Sequence, residues 1–113
     1  MNQDINNGAV RVLRQYTGRG PTKARSVIDD DSVTILLKDT LTDGERRLIE
    51  GGRAELVLQM RHEFQLVMRD ELVKVVEDAL DRKVVAFMSD NHIDPDMAVE
   101  VFVLEAAQQP DPG

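Results

Sequence analysis

The residues of this chain that are best equipped for chemistry lie close together near its C-terminal end. They include carboxylates and a histidine, which can ligate a metal ion through oxygen and imidazole nitrogen. A carboxylate next to a histidine can also carry out general acid–base catalysis. The segment lies between two apolar runs that are typical of strands, so it is predicted to be a turn over residues 89–96. The candidate residues are Ser89, Asp90, Asn91, His92, Asp94 and Asp96.

A structural role explains the same residues without any ligand. Ser, Asp and Asn side chains in turns commonly bond to nearby backbone N–H groups, and Pro95 restricts the loop. The spacing matches no metal motif, and the segment lacks the glycine and the distal glutamate of an EF-hand loop. The turn is therefore predicted to be structural, with no metal and no cofactor. An acid–base pair formed by Asp90 and His92 is the less favoured reading.

A second candidate site is the glycine-rich segment 17–23, which contains Arg19 and Lys23. Two cations beside glycines could bind a small anion with the help of backbone N–H groups. The segment is not a P-loop, and a helix C-cap followed by a connection to a strand explains it more simply. The alternative function is therefore a sensor of a small anion or metal that uses this connector and the 89–96 turn.

Hydrophobic periodicity predicts the elements that must position these residues. Apolar residues at spacings of three and four indicate helices, and alternation indicates strands. Thr42 and Glu45 form a capping box that should open the longer helix, which has a weak point at Gly51–Gly52. The expected elements are a helix over 2–16, strands over 24–29 and 33–38, a helix from Thr42 to about Arg82, and strands over 83–89 and 98–104.

This order of elements predicts an α+β fold. Helix, β-hairpin, long helix and β-hairpin should form a four-stranded, mainly antiparallel sheet that is packed by helices. Residues 1–105 are expected to be a single domain, and residues 106–113 a disordered tail.

Composition excludes several classes of protein. The net charge of −7 disfavours nucleic acid as a partner, because phosphate binding depends on clustered Lys and Arg. No apolar run reaches the roughly 20 residues of a membrane span. The N-terminus lacks the basic and apolar segments of a secretory signal, and cysteine is absent. We therefore expect a cytoplasmic protein that neither binds nucleic acid nor inserts directly into a membrane.

Two further patterns predict a homodimer. The segment Val84–Met88 is apolar on both faces, which suits a strand that is covered on both sides. The two helices of one chain would cover only one face of the sheet and would leave the other face exposed. A helix of about thirty residues spans roughly 45 Å, and a strand of about six spans about 20 Å. The helix should therefore overshoot the sheet, and the excess apolar surface should meet another subunit across a two-fold axis.

Several blocks of the chain resemble the MpsC family. These are small bacterial cytoplasmic proteins named for the C component of a sodium-translocating, membrane-potential-generating system. One departure is Asp81, which stands where the family pattern is expected to have a glycine helix stop, and Asp can adopt the same left-handed conformation. The matching blocks span roughly residues 2–105. They are Gly18–Arg25, the hairpin around Asp29-Asp30-Asp31, Leu41-Thr-x-x-Glu45, Gly52-Arg53 with the helix that follows, and Lys83–Leu104.

The resemblance implies a non-enzymatic accessory protein that works beside membrane proteins in cation translocation or inorganic-carbon uptake. It carries over no catalytic residues. It also implies an integral membrane partner, through which a cytoplasmic chain would associate with the membrane.

Overall fold

A computed structural model describes residues 1–21 and 23–106 of the chain. It confirms the α+β class and the four-stranded antiparallel sheet. Most of the expected disordered tail, residues 107–113, lies outside the described residues. The elements are α1 Asn2–Thr17, β1 Lys23–Ile28, β2 Ser32–Lys38, α2 Asp43–Glu50, α3 Ala54–Leu80, β3 Val84–His92 and β4 Met97–Leu104.

The strands are ordered β1-β2-β4-β3, and every neighbouring pair is antiparallel. Helix α1 packs against β1, α3 packs against β3, and the two helices contact each other. The core therefore lies between the helices and one face of the sheet, which we call the inner face. Its buried apolar residues are Ile5, Ala9, Val12, Leu13, Val33, Ile35, Leu37, Met68, Leu72, Val76, Ala98, Phe102 and Leu104.

Helix α1 has the predicted apolar stripe and the predicted end. Gly18 has a φ of 76°, and its N–H donates to the Arg14 carbonyl oxygen over 3.0 Å, so the helix closes with a left-handed cap. Gly8 lies against Val75 of α3, and a Cβ at this position would lie 2.5 Å from Val75 Cγ1. The glycine lowers helix propensity, but it permits the close approach of α1 and α3.

The prediction of one helix from Thr42 to about Arg82 is wrong, because two helices occupy this range. The capping box is present: the Glu45 N–H donates to Thr42 Oγ1, and the Thr42 N–H donates to the Glu45 carboxylate. Helix α2 then ends at Gly51–Gly52, where Gly52 has a φ of 82° that glycine adopts readily. Asp81 closes α3 with a φ of 51° and a ψ of 45°, the left-handed conformation expected for it.

The second hairpin also differs from the prediction. Strand β3 continues to His92, which pairs with Met97, so the turn covers residues 93–96 instead of 89–96. The ladder with β4 continues because polar side chains can alternate between the two faces of an edge strand. Ser89 and Asn91 are half-buried, whereas Asp90 and His92 are exposed on the opposite face, which we call the outer face.

Candidate functional site

Asp96 fixes the turn at residues 93–96 to the start of the segment that leads into α2. Its Oδ1 accepts hydrogen bonds from the N–H and the hydroxyl of Thr40, each at 3.0 Å. Its Oδ2 accepts from the Leu41 N–H at 3.0 Å. A carboxylate that accepts several backbone and hydroxyl donors is well satisfied where it stands. In this chain Asp96 therefore connects two loops.

A charged network extends from Asp96 to the glycine-rich connector. Arg46 contacts both Asp96 and Asp39, and Arg19 Nη2 lies 2.8 Å from Asp39 Oδ2. All three of these ion pairs are partly exposed, so each contributes little stability by itself. Arg19, the candidate for anion binding, already forms an ion pair with Asp39. An incoming anion would have to compete with that carboxylate.

The structure brings only some of the candidate residues together. Arg19 and Asp96 belong to the same network through Asp39 and Arg46. Asp90 and His92 line a depression of about 280 Å³ on the outer face, where apolar side chains form most of the wall.

The other four candidates lie in separate places, and one of them, Ser89, is half-buried on the inner face. Asn91 faces the helices and donates to Gln65 Oε1 at 2.9 Å. Asp94 is exposed in the turn, and Lys23 is exposed on β1 at the opposite edge of the sheet.

Sequence reasoning missed a cluster of buried polar side chains between α3 and β4. Glu100, Arg61 and Gln65 have exposures of 1%, 4% and 3%. Gln65 Nε2 donates to Glu100 Oε1 at 3.2 Å, and Arg61 Nη1 lies 3.4 Å from Glu45 Oε1. A buried charge is costly unless it is paired, so these contacts define the packing of α3 on the sheet and on α2.

Burial raises the pKa of Glu100 to about 8, although the hydrogen bond from Gln65 and the nearby Arg61 charge both act to lower it. Glu100 Oε2 has no hydrogen-bond partner among the described residues. A neutral carboxyl group avoids the cost of burying a negative charge, which is why burial raises the pKa of Glu100.

Residue spacing could have revealed this cluster. Glu100 occupies an inward position of β4, between Ala98 and Phe102. Arg61 and Gln65 follow Val57 at intervals of four, in phase with the buried side of α3. Charged residues at core-facing positions indicate buried polar contacts.

The outer face of the sheet has charged residues at its β1 and β3 edges and at Lys38, but its other positions are mainly apolar, and none of the described elements covers it. Strand pairing places Val27, Thr34, Val101 and Met88 in one row across the face. Val27 and Met88 are exposed by 48% and 54%. Single exposed apolar residues are ordinary, but a continuous apolar patch indicates an interaction site. The remaining apolar residues of the outer face are Leu36, Ala86, Met97, Val99 and Val103.

A second apolar surface lies on α3. Gln65 contacts Glu100 and Asn91 near the end of the sheet. Seven residues of α3, from Ala54 to Met60, precede Arg61. The Arg61–Glu45 contact holds α2 against this part of α3. We call α2 and residues 54–67 the helical arm. Its exposed apolar residues are Leu56, Leu58, Leu66 and Val67.

Neither a metal site nor a membrane-spanning helix is found within residues 1–21 and 23–106. These residues contain no group of three or more His, Asp or Glu side chains arranged to hold a metal ion. In the same part of the chain, every helix is too short or too polar to cross a bilayer.

The comparisons with known proteins give one match. The family model described as "Na+-translocating membrane potential-generating system (MpsC)" matches residues 1–106. No curated protein and no solved structure matches the chain significantly.

Proposed function

This chain belongs to the MpsC family, and we propose that it is a non-enzymatic accessory protein of a Na+-translocating, membrane-potential-generating system. The family description supports a role in such a system. The accessory role, a cytoplasmic location and a contribution to cation translocation or inorganic-carbon uptake are our proposal. In this role the chain binds an integral membrane protein and is held at the membrane by it.

The observation that carries the proposal is the uncovered apolar surface of an otherwise highly charged chain. Charged residues make up 31% of the sequence, yet apolar side chains collect on the outer face and on the helical arm. Several of the polar candidates already bond to other residues of the chain, as Asp96 does with Thr40 and Leu41. Apolar patches of this kind favour binding to other proteins.

The helical arm is the surface that we assign to the membrane partner. Leu66 and Val67 are exposed by 53% and 59%, next to each other on α3. Two packed helices form a firmer platform than a loop does, because the buried Arg61–Glu45 contact fixes α2 relative to α3. The arm therefore presents apolar side chains on a rigid support.

Affinity purification from membranes of the native host tests this proposal. A tagged chain should recover an integral membrane protein in mild detergent, and the double variant Leu66→Asp, Val67→Asp should lose it because charges would replace apolar contacts. The double variant Gln3→Asp, Gln15→Asp adds the same two charges at exposed polar positions of α1, outside the helical arm, and should retain the partner. Recovery of no integral membrane protein by the wild-type chain would contradict the accessory role.

A further inference from the structure

We propose that the outer face of the sheet is a homodimer interface, in which two copies pack face to face around a two-fold axis parallel to the strands. Strand pairing gives the composition of this face row by row. In the central rows, β2 and β4 supply Leu36, Val99 and Val101 beside Thr34. Sheets that pack face to face bury such side chains in a layer about 10 Å thick.

The size of the face fits a modest dimer. Four strands about 4.8 Å apart, with about seven residues each at about 3.3 Å, make a surface of roughly 19 by 23 Å. This is about 440 Å² per copy, or about 880 Å² for two copies, which is below the roughly 1,200 Å² of a standard interface and in the range of weak ones. We therefore expect a dimer that dissociates on dilution into the micromolar range.

Charges at the two edges of the face complement each other. Strand pairing connects Arg25 to Leu36, Leu36 to Val99 and Val99 to Asp90, so Arg25 and Asp90 occupy opposite ends of one row. Three strand spacings separate them by about 14 Å, too far for an ion pair within one chain. Neither side chain forms an ion pair among the described residues, and Asp90 Oδ1 accepts only from the neighbouring Asn91 N–H at 2.8 Å.

These charges favour one orientation of the two-fold axis. An axis parallel to the strands places β1 of one copy over β3 of the other, so Arg25 meets Asp90 of the second copy at both edges. An axis across the strands would place β1 over β1 and would keep Arg25 away from Asp90. Complementary charges at the rim of an interface fix its register in this way.

Pairing of sheet edges is the competing arrangement, and both edges oppose it. Strand β3 has an irregularity between Val84 and Ala86, which interrupts its ladder. Strand β1 carries Lys23 and Arg25 at its edge of the sheet. Bulges and cations are devices that protect an edge strand against pairing with another copy.

Sedimentation or light scattering over a range of protein concentrations tests which surface is used. The wild-type chain should have twice the monomer mass of 12.7 kDa at high concentration. Val101→Lys places a charge at the centre of the outer face and should give a monomer with an unchanged circular dichroism spectrum. Val67→Lys adds the same charge to the helical arm and should remain dimeric.

Three results would overturn the interface. The first is a wild-type chain that is monomeric at about 100 µM. The second is a dimer that Val67→Lys dissociates and Val101→Lys does not. The third is a Val101→Lys variant that keeps the dimer mass but no longer binds the membrane partner. The last result would assign the outer face to that partner.

A charge exchange between exposed positions tests the orientation without risk to the core. Arg25→Asp and Asp90→Arg should each raise the dissociation constant about tenfold, because each replaces two attractive contacts with two repulsive ones. The double variant should return to within about threefold of the wild type. Because Arg25 and Asp90 cannot meet within one chain, recovery of the wild-type dissociation constant by the double variant would show that they contact each other between copies. A double variant as weak as the single ones would exclude the axis parallel to the strands.

Discussion

Glu100 has an ionisable carboxyl group that is buried in the core, although such groups are normally exposed to water. It lies on the inner face with 1% exposure, and burial raises its pKa to about 8 from the ordinary value of 4.5. Between these two pKa values the folded chain binds a proton that the unfolded chain has released. Stability due to this group is therefore greatest below about pH 4.5, falls as the pH rises, and stops falling above about pH 8.

Replacing Glu100 with glutamine should remove this pH dependence, because the amide keeps the shape and has no charge. In urea unfolding, the wild-type midpoint should fall more than that of Glu100→Gln between about pH 5 and about pH 9, and the variant should be the more stable protein at the higher pH. Glu63→Gln, at an exposed position of α3, is the control. Parallel pH curves for Glu100→Gln and the wild type would show that Glu100 is ionised in the fold.

His92 distinguishes a structural hairpin from a ligand sensor. Its Nδ1 lies 2.8 Å from the Pro95 carbonyl oxygen at an exposed position, so the bond is worth little stability. We expect His92→Ala to change the melting temperature little, and we expect divalent metals, bicarbonate and nucleotides to produce no shift that depends on His92. His62→Ala removes the other histidine, which is exposed on α3, and is the matched control. A ligand at about 100 Kd would add roughly 2.7 kcal/mol, so a shift seen with the wild type and absent in His92→Ala would establish the sensor.

At the scale of elements, the contact between α1 and α3 depends on Gly8. Alanine usually stabilises a helix relative to glycine, by roughly 0.5–1 kcal/mol. Here the added methyl group would collide with Val75, whose Cγ1 would lie 2.5 Å away. Overpacking of this kind costs about 1–3 kcal/mol. Gly8→Ala should therefore destabilise the protein by about 1 kcal/mol, measured as the free energy of unfolding in urea.

A double-mutant cycle with Val75→Ala provides the control. Removing the valine methyl groups relieves the collision, so Val75→Ala should cost less in the Gly8→Ala background than in the wild type. Gly44→Ala, where the nearest side-chain atom lies 4.0 Å from the added Cβ, should not destabilise the protein. Additive effects of Gly8→Ala and Val75→Ala would show that α1 and α3 move apart to accommodate the methyl group.

Periodicity and capping signals predicted the elements well where one local rule acts alone. The Thr42–Glu45 capping box and the Gly18 cap are examples, because each depends on a few neighbouring residues. The break at Gly51–Gly52 was visible only as a weak point, since helix α3 resumes in nearly the same apolar pattern. The polar end of β3 was mistaken for a turn because pairing with β4, a contact between elements, decides its conformation.

The candidate site was less predictable than the fold. Sequence alone grouped Asp90, Asn91, His92, Asp94 and Asp96 because they are neighbours in the chain. In a strand, successive side chains point to opposite faces, so these neighbours are separated in space. The burial of Glu100 and Arg61 depends on how α3 crosses the sheet, which composition and spacing do not specify.

At the scale of the whole molecule, a dimer makes thermal stability depend on protein concentration. Unfolding of two associated copies releases two chains, so mass action shifts the equilibrium towards the folded dimer as concentration rises. A roughly hundredfold increase in concentration should raise the melting temperature of the wild type by about 5 °C. The Val101→Lys variant should melt at the same temperature throughout. A wild-type melting temperature that stays constant would contradict association through any surface of the chain.

The order of strands has a consequence for how the chain can be divided. A helix followed by a hairpin occurs twice, as α1-β1-β2 and as α3-β3-β4, and the second strands of the two units pair antiparallel at the centre of the sheet. Each helix packs against the first strand of its own unit. The two halves therefore have the same order of elements, and each contributes one edge strand and one central strand to the sheet. A chain cut between Gly51 and Gly52 would separate these halves in a turn outside both units, and the fragments should reassemble by complementation when mixed.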